Sequence, residues 1–96
     1  GPVVVVERYR DFTDAIARVN ASRYGLQAAV FTDSNTRIYE AIRDLHVGGV
    51  VVNDAPSLRL DGMPYGGVKD SGLGREGVRA AALEMTETKM VLFRRR

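Results

Sequence analysis

The sequence predicts an α/β fold organised around half of a parallel, doubly wound sheet. Three short apolar runs, at positions 3–6, 26–32 and 50–52, have the character of strands that are buried on both faces. Two stretches with a helical repeat of apolar residues lie between these runs. Connections of that length favour parallel pairing of the strands through right-handed crossovers.

The first strand is predicted over Val3 to Val6, four β-branched residues in a row, and the first helix follows it. Asp11 can cap the N-terminus of that helix, and Asp14 adds negative charge near its positive end. Apolar residues then recur at helical spacing and form one stripe. The members of the stripe are Phe12, Ala15, Ile16 and Val19.

The second half of the unit repeats this pattern. Leu26 to Thr32 is the predicted second strand, and the cap-forming residues 33–35 precede a second helix with its own stripe of Ile38, Ala41, Ile42 and Leu45. Gly48 and Gly49 end this helix, and Val50 to Val52 form the third strand. The order is strand, helix, strand, helix, strand, which is a Rossmann-like βαβαβ half of a doubly wound sheet.

A long loop, Asn53 to Met63, leaves the carboxyl end of the third strand, where ligands bind in open α/β sheets. A third helix is predicted around Val78 to Met85, with Glu76 in its first turn. Lys89 to Arg94 alternates between two faces and is predicted to form a final strand.

Glycine is concentrated between Met63 and Gly77, which hold five of the chain's 10 glycines. This density predicts a backbone wound tightly beside a pocket or a neighbouring segment. A connecting loop without a ligand is the alternative.

Residues 72–77 also match the pattern G-x-G-x-x-G, but the dinucleotide fingerprint needs a preceding strand and an acidic residue about twenty positions later. We therefore expect Gly72 and Gly74 to shape the start of a helix.

Composition limits the possible functions. The 96 residues make one domain at most, and a net charge of +2 is too small to indicate nucleic-acid binding. The chain has no cysteine and a single histidine, His46, so neither a thiolate nucleophile nor a metal cluster is expected. No apolar run approaches membrane-spanning length, and the basic end Arg94 to Arg96 is expected to be a solvated tail.

Pro64 to Glu76 contains, in order, the elements Pro-aromatic-Gly-Gly, Lys, Ser-Gly and Gly-Arg-Glu. This order resembles the C-terminal signature of the NAD(P)-dependent aldehyde dehydrogenase superfamily. Three other segments match family motifs at family-like spacings: Ser22 to Leu26 with Val30 to Thr32, Val52 to Asp54, and Thr86 to Lys89. The resemblance covers essentially the whole chain and implies the last fifth of a much longer enzyme.

The resemblance implies an enzyme that oxidises an aldehyde to a carboxylic acid with NAD or NADP. The family attacks the aldehyde with a cysteine thiolate and hydrolyses the resulting thioester with help from a glutamate. Because this chain has no cysteine, the catalytic residues and most of the cofactor site are expected upstream of Gly1. No catalytic, cofactor-binding or metal-binding residue is therefore assigned here, and a cytoplasmic location is expected.

The expected contribution of this segment is to the substrate pocket and to assembly. By resemblance, the loop before the Pro-aromatic-Gly-Gly motif lies at the substrate entrance, so the predicted substrate-binding residues are Asn53, Asp54, Arg59 and Tyr65. Many relatives carry phenylalanine where this chain has Tyr65, whose hydroxyl needs a partner when buried. Residues 1–86 are assigned to the catalytic domain and 87–96 to an interface strand with a basic tail. The expected partners are a small-molecule aldehyde and either a homo-oligomer or a companion chain that holds the upstream residues, with neither nucleic acid nor membrane.

One alternative function, that of a non-enzymatic protein, stays open. The segment could be a free-standing, non-enzymatic interaction module that binds anions through Arg59 and the terminal arginines. The mass of the natural polypeptide separates the two, because the family resemblance requires a product about five times as long.

The missing thiol gives a first prediction. The purified 96-residue chain should have no dehydrogenase activity, because an aldehyde needs a strong nucleophile that this chain lacks. Reduction of NAD or NADP with simple aldehydes is the measurement. Production of the reduced cofactor above a buffer control would contradict the prediction.

Overall fold

A computed structural model describes residues 1–95 of the chain, and Arg96, part of the predicted basic tail, lies outside the described residues. The elements occur in the order helix, two strands, helix, two strands, helix. Their bounds are α1 (Phe12–Asn20), β1 (Tyr24–Gly25), β2 (Gln27–Val30), α2 (Asn35–Asp44), β3 (Gly49–Val52), β4 (Val68–Lys69) and α3 (Val78–Glu84).

The centre of the fold is the unit β2–α2–β3. The two strands pair in parallel, with Gln27 opposite Gly49 and Val30 opposite Val52. This confirms the predicted parallel pairing of the second and third apolar runs across a helix. Both strands place one residue in the core, Val30 and Val51, and the small Ala41 of α2 is fully buried beside them.

The predicted N-cap of α1 is confirmed, and Ser34, one of the cap-forming residues 33–35, is the N-cap of α2. The Asp11 carboxylate accepts a hydrogen bond from the backbone N–H of Asp14 at 3.0 Å, and the Ser34 hydroxyl accepts one from Arg37 at 3.4 Å. The two helices contact each other, and Thr13 of α1 donates to the Glu40 carboxylate of α2 at 3.0 Å. Ile16, from the predicted stripe, is the buried residue of α1.

A second, small sheet was not predicted. Residues Tyr24 and Gly25 pair antiparallel with Lys69 and Val68. The two partners are far apart in the sequence, and each strand has only two residues, so neither produces a periodic pattern. This pairing brings the glycine-rich segment across the chain to the end of α1.

The prediction of a first strand over Val3 to Val6 is wrong for this chain. These residues form no strand, and their exposed fractions are 80–86%. A run of valines favours extended backbone, but a strand also requires a hydrogen-bonded neighbour, and none of the described residues provides one. The parallel part of the half-sheet therefore has two strands instead of three.

Two expectations about the C-terminal region are also wrong. Lys89 to Arg94 forms no strand, and Met90, Leu92 and Phe93 are at least 80% exposed. The physical reason is the same, because this alternating segment has no partner among residues 1–95. In α3, Gly77 is the N-cap residue, so Glu76 precedes the helix instead of lying in its first turn.

The exposed apolar ends predict that the isolated chain will not be a stable monomer. Its radius of gyration is 18.2 Å, whereas a compact chain of this length has about 12.5 Å. Its accessible surface is 8548 Å², against about 5,400 Å² for a folded monomer of this mass. Unpaired apolar segments of this kind favour association with another chain.

Sedimentation at micromolar concentration tests this expectation. The chain should self-associate, or should become monodisperse only with a companion chain. A compact monomer of 10.5 kDa that unfolds cooperatively would contradict the prediction and would show an autonomous domain.

Candidate functional site

Asn53 connects the carboxyl ends of the two parallel strands. Its backbone is in the left-handed region, with φ of 57°, a conformation that asparagine tolerates better than most residues. Its side-chain oxygen accepts from the N–H of Thr32 at 2.8 Å, and its side-chain nitrogen donates to the C=O of Thr32 at 3.1 Å. The Asn53 amide therefore acts as an extra rung between the strand ends. Its predicted contact with substrate stays a prediction.

The long loop after β3 continues from Asn53 through Asp54 and is largely exposed. The Asp54 carboxylate accepts from the backbone N–H of Ala55 at 2.6 Å, which stabilises the first turn of the loop. Further on, the side-chain nitrogen of Gln27 in β2 donates to the C=O of Leu58 at 2.8 Å. This contact holds the middle of the loop against the sheet, next to Arg59.

Tyr65 and Glu76 are joined by their backbones at the two ends of the glycine-rich segment. The N–H of Tyr65 donates to the C=O of Glu76 at 2.9 Å, and the N–H of Glu76 donates to the C=O of Tyr65 at 2.6 Å. This reciprocal pair is one rung of an antiparallel ladder. It fixes the side chains of two residues that are eleven positions apart in the sequence.

Arg59 contacts both of these residues. Its guanidinium carbon lies 4.5 Å from the centroid of the Tyr65 ring, which is a cation–π contact. Its Nη2 donates to Oε2 of Glu76 at 2.9 Å. We call Arg59, Tyr65 and Glu76 the arginine cluster. The structure thus brings together two of the four predicted site residues, while Asn53 and Asp54 make their hydrogen bonds to other groups.

Glu76 was not predicted as a site residue. Its position in the Gly-Arg-Glu element suggested only a role at the start of a helix. Its contact with Arg59 depends on the rung with Tyr65, which links the two ends of a loop, and no local pattern in the sequence encodes that rung.

The glycine-rich segment packs against neighbouring backbone, as its composition predicted. A side chain on Gly48 would overlap the carbonyl oxygen of Gly66, and one on Gly67 would overlap Cβ of Ser71. The Ser71 hydroxyl accepts from the N–H of Gly25 at 2.9 Å and connects the segment to β1. Gly48 and Gly67 must therefore lack side chains, because neighbouring backbone or the Cβ of Ser71 occupies the space that a side chain would need.

Two charged residues of the same segment are used in structural contacts. Nζ of Lys69 donates to the C=O groups of Asn20 and Ser22, at 2.9 and 3.1 Å, and so satisfies carbonyls at the end of α1. Nη1 of Arg75 donates to the C=O of Gly67 at 2.9 Å. The glycine-rich segment is therefore held by its own charged side chains as well as by close packing.

The surroundings of the G-x-G-x-x-G stretch differ from those of the dinucleotide fingerprint. The G-x-G-x-x-G stretch lies between the two-residue strand β4, which pairs antiparallel, and the short helix α3. The nucleotide fingerprint requires a parallel βαβ unit at that point. Among residues 1–95, no group of three or more histidine, cysteine, aspartate or glutamate side chains could hold a metal ion. No helix in that range has both the length and the apolar character for crossing a membrane.

A sequence model described as "Aldehyde dehydrogenase family" matches residues 1–91. The chain belongs to the aldehyde dehydrogenase family, and the resemblance found in its motifs is confirmed.

Two curated relatives illustrate the similarity. The 3-sulfolactaldehyde dehydrogenase of Priestia aryabhattai is 47% identical over 93 residues, which is 97% of this chain and 20% of the relative. The lactaldehyde dehydrogenase of Methanococcus maripaludis is 44% identical over 93 residues, with the same two shares. The chain therefore spans about a fifth of the length of the curated relatives it matches.

Two crystal structures show the same similarity in three dimensions. Aldehyde dehydrogenase 21 of Physcomitrella patens, in complex with the reaction product succinate, matches with a TM-score of 0.91 and 47% identity, over 98% of this chain and 20% of that one. The glyceraldehyde-3-phosphate dehydrogenase of Methanocaldococcus jannaschii, complexed with NADP, matches with a TM-score of 0.73 and 46% identity, over 76% and 16%.

The contact between Gly48 and Gly66 gives a testable requirement for the site. Gly48→Ala should lower the free energy of unfolding of the full-length enzyme by about 3 kcal/mol or more, because Cβ would overlap a backbone carbonyl that cannot rotate away. Urea unfolding is the measurement. Gly62→Ala is the matched control, since Cβ there has no neighbour within 4 Å. Equal stability of the two variants would contradict the packing described.

Proposed function

We propose that this chain is the substrate-pocket segment of an NAD(P)-dependent aldehyde dehydrogenase that oxidises a small aldehyde to a carboxylic acid. Family membership supports the reaction class. Two observations support the segment's role: the loop at the carboxyl end of β3 carries Arg59, and that arginine meets Tyr65 of the Pro-aromatic-Gly-Gly motif. The catalytic thiol, the general base and most of the NAD(P) site are assigned to other parts of the polypeptide.

The arginine cluster favours an aldehyde with a negative group at its far end. This is the single observation that carries the substrate proposal. A guanidinium carries five N–H donors in a planar fork that matches carboxylate, sulfonate and phosphate oxygens. The Tyr65 ring supports one face of Arg59 and limits its freedom, so less conformational entropy is lost on binding. Arg59 stays half-exposed, with 48% of its side-chain surface accessible, and can be reached from solvent.

The names of the similar proteins agree with this preference in part. The Priestia relative is named for 3-sulfolactaldehyde, which carries a sulfonate. The M. jannaschii enzyme is named for glyceraldehyde-3-phosphate, which carries a phosphate, and the Physcomitrella enzyme holds its reaction product succinate, a dicarboxylate. The Methanococcus relative is named for lactaldehyde, which has no charged group. A neutral hydroxyaldehyde is therefore the second candidate substrate, and the partial neutralisation of Arg59 by Glu76 favours it.

The ends of the chain are assigned to assembly within the full enzyme. Residues 1–86 belong to the catalytic domain in this proposal, and 87–95 form an arm that is covered by a second subunit. The high exposure of Met90, Leu92 and Phe93 supports this assignment, because an apolar arm of this kind is stabilised by burial. The alternative of a free-standing anion-binding module has no support in the family match, which extends to residue 91.

Arg59→Ala in the full-length enzyme tests the substrate proposal. It should raise KM for an anionic aldehyde such as succinic semialdehyde by about tenfold, because a charge-assisted hydrogen bond is lost at a partly exposed site. KM for butanal, a neutral aldehyde of the same chain length, should stay within about twofold. Steady-state kinetics with both aldehydes is the measurement.

Arg59→Lys is the matched control for this experiment. It keeps the positive charge but loses the planar fork, so its KM for the anionic aldehyde should lie between those of the wild type and the alanine variant. Equal changes in KM for both aldehydes in Arg59→Ala would count against a role of Arg59 in anion recognition.

A further inference from the structure

Glu76 is held in place by its backbone, independently of its carboxylate. The two reciprocal hydrogen bonds with Tyr65, at 2.9 and 2.6 Å, fix the backbone of Glu76 on the edge of the arginine cluster. The carboxylate has no part in those bonds. A change from carboxylate to amide at this position therefore leaves the backbone rung intact.

The Glu76 carboxylate accepts from only one of the hydrogen-bond donors of Arg59. One contact is made, between Nη2 and Oε2 at 2.9 Å, whereas a guanidinium has five donors. The other donors are able to serve a second anion beside Glu76. That second anion would meet a positive charge that a neighbouring negative charge has already partly cancelled, and it would be repelled by Glu76 itself.

The ion pair between Arg59 and Glu76 is also exposed, so another anion can compete with it. Within this 96-residue chain, the side chains of Arg59 and Glu76 keep 48% and 67% of their surface accessible. Exposed pairs of this kind are weak and are screened by salt, so a substrate anion can share or displace Glu76 at small cost. A buried pair would instead hold Arg59 in one state.

We infer that Glu76 is the internal counter-ion of Arg59 and sets how strongly the enzyme prefers anionic over neutral aldehydes. With Glu76 charged, the cluster keeps a modest preference for anionic aldehydes and also accepts neutral ones. Without that charge, Arg59 attracts anions more strongly. This inference rests on the proposed function, and it adds a positioning residue that determines specificity through Arg59.

Glu76→Gln in the full-length enzyme is the direct test. Glutamine keeps an oxygen that can accept from Arg59 and removes only the charge. The readout is the discrimination ratio, defined as kcat/KM for succinic semialdehyde divided by kcat/KM for butanal, because effects common to both aldehydes cancel in it. The ratio should rise by about two- to fivefold, the range of an exposed ion pair, and the rise should shrink at high salt.

Glu7→Gln is a matched control. Glu7 pairs with Arg18 at 3.6 Å, and their side chains keep 68% and 53% of their surface accessible, so this pair is as exposed as the one in the arginine cluster. Losing its charge should leave the discrimination ratio unchanged. A rise of the same size in Glu7→Gln would show a general effect of net charge and would overturn the inference.

The Arg59→Ala background separates this inference from the proposal on which it rests. In that background, Glu76→Gln should no longer change the ratio, because the two residues act through one contact. If Arg59→Ala alone leaves the ratio unchanged, the proposed substrate preference and the inference both fail. If Arg59→Ala lowers the ratio but Glu76→Gln does not raise it, only the inference is overturned.

A binding measurement covers the case in which turnover is lost. The inhibition or dissociation constant of succinate should fall by about the same two- to fivefold in Glu76→Gln, at constant melting temperature. Weaker binding of succinate in this variant would show that the charge of Glu76 supports anion binding, and the inference would be wrong.

Discussion

The position of the candidate site depends on one backbone contact, between Gly48 at the end of the α2–β3 turn and Gly66 in the glycine-rich segment. No side chain fits between these two residues. Because the segment can approach this closely, Val68 and Lys69 reach β1, and Ser71 reaches the N–H of Gly25. The contact thus fastens a loop of more than twenty residues onto the edge of a small α/β unit.

The arrangement of the arginine cluster follows from this contact between Gly48 and Gly66. Tyr65 directly precedes Gly66, so the glycine contact also places the aromatic ring. The backbone rung between Tyr65 and Glu76 then closes the segment on itself and puts a carboxylate beside the ring. Arg59, on the preceding loop, meets both groups at once. An aromatic face, a positive charge and a counter-ion are thereby brought together, and this arrangement supports the proposed selection of small aldehydes by charge.

Local features of the fold were predictable from sequence, and features that need distant partners were not. The cap at Asp11, a cap among residues 33–35 and the strands β2 and β3 follow from neighbouring residues, and each was found where expected. Val3 to Val6 and Lys89 to Arg94 have strand-like sequences but lack a partner strand among the described residues, so they form no strand and stay exposed. The pairing of β1 with β4 was missed because it arises from long-range glycine contacts. For the site, motif resemblance selected Arg59 and Tyr65, but only the three-dimensional structure could show their contact and the part played by Glu76.

A crystal structure of the full-length enzyme with bound succinate tests the central claim most directly, because it shows where an anionic group lies relative to this segment. The account predicts a carboxylate oxygen within about 3 Å of a guanidinium nitrogen of Arg59, with the guanidinium still stacked on Tyr65. Succinate bound in the substrate pocket with both carboxylates away from Arg59, and Arg59 still paired with Glu76 alone, would contradict it.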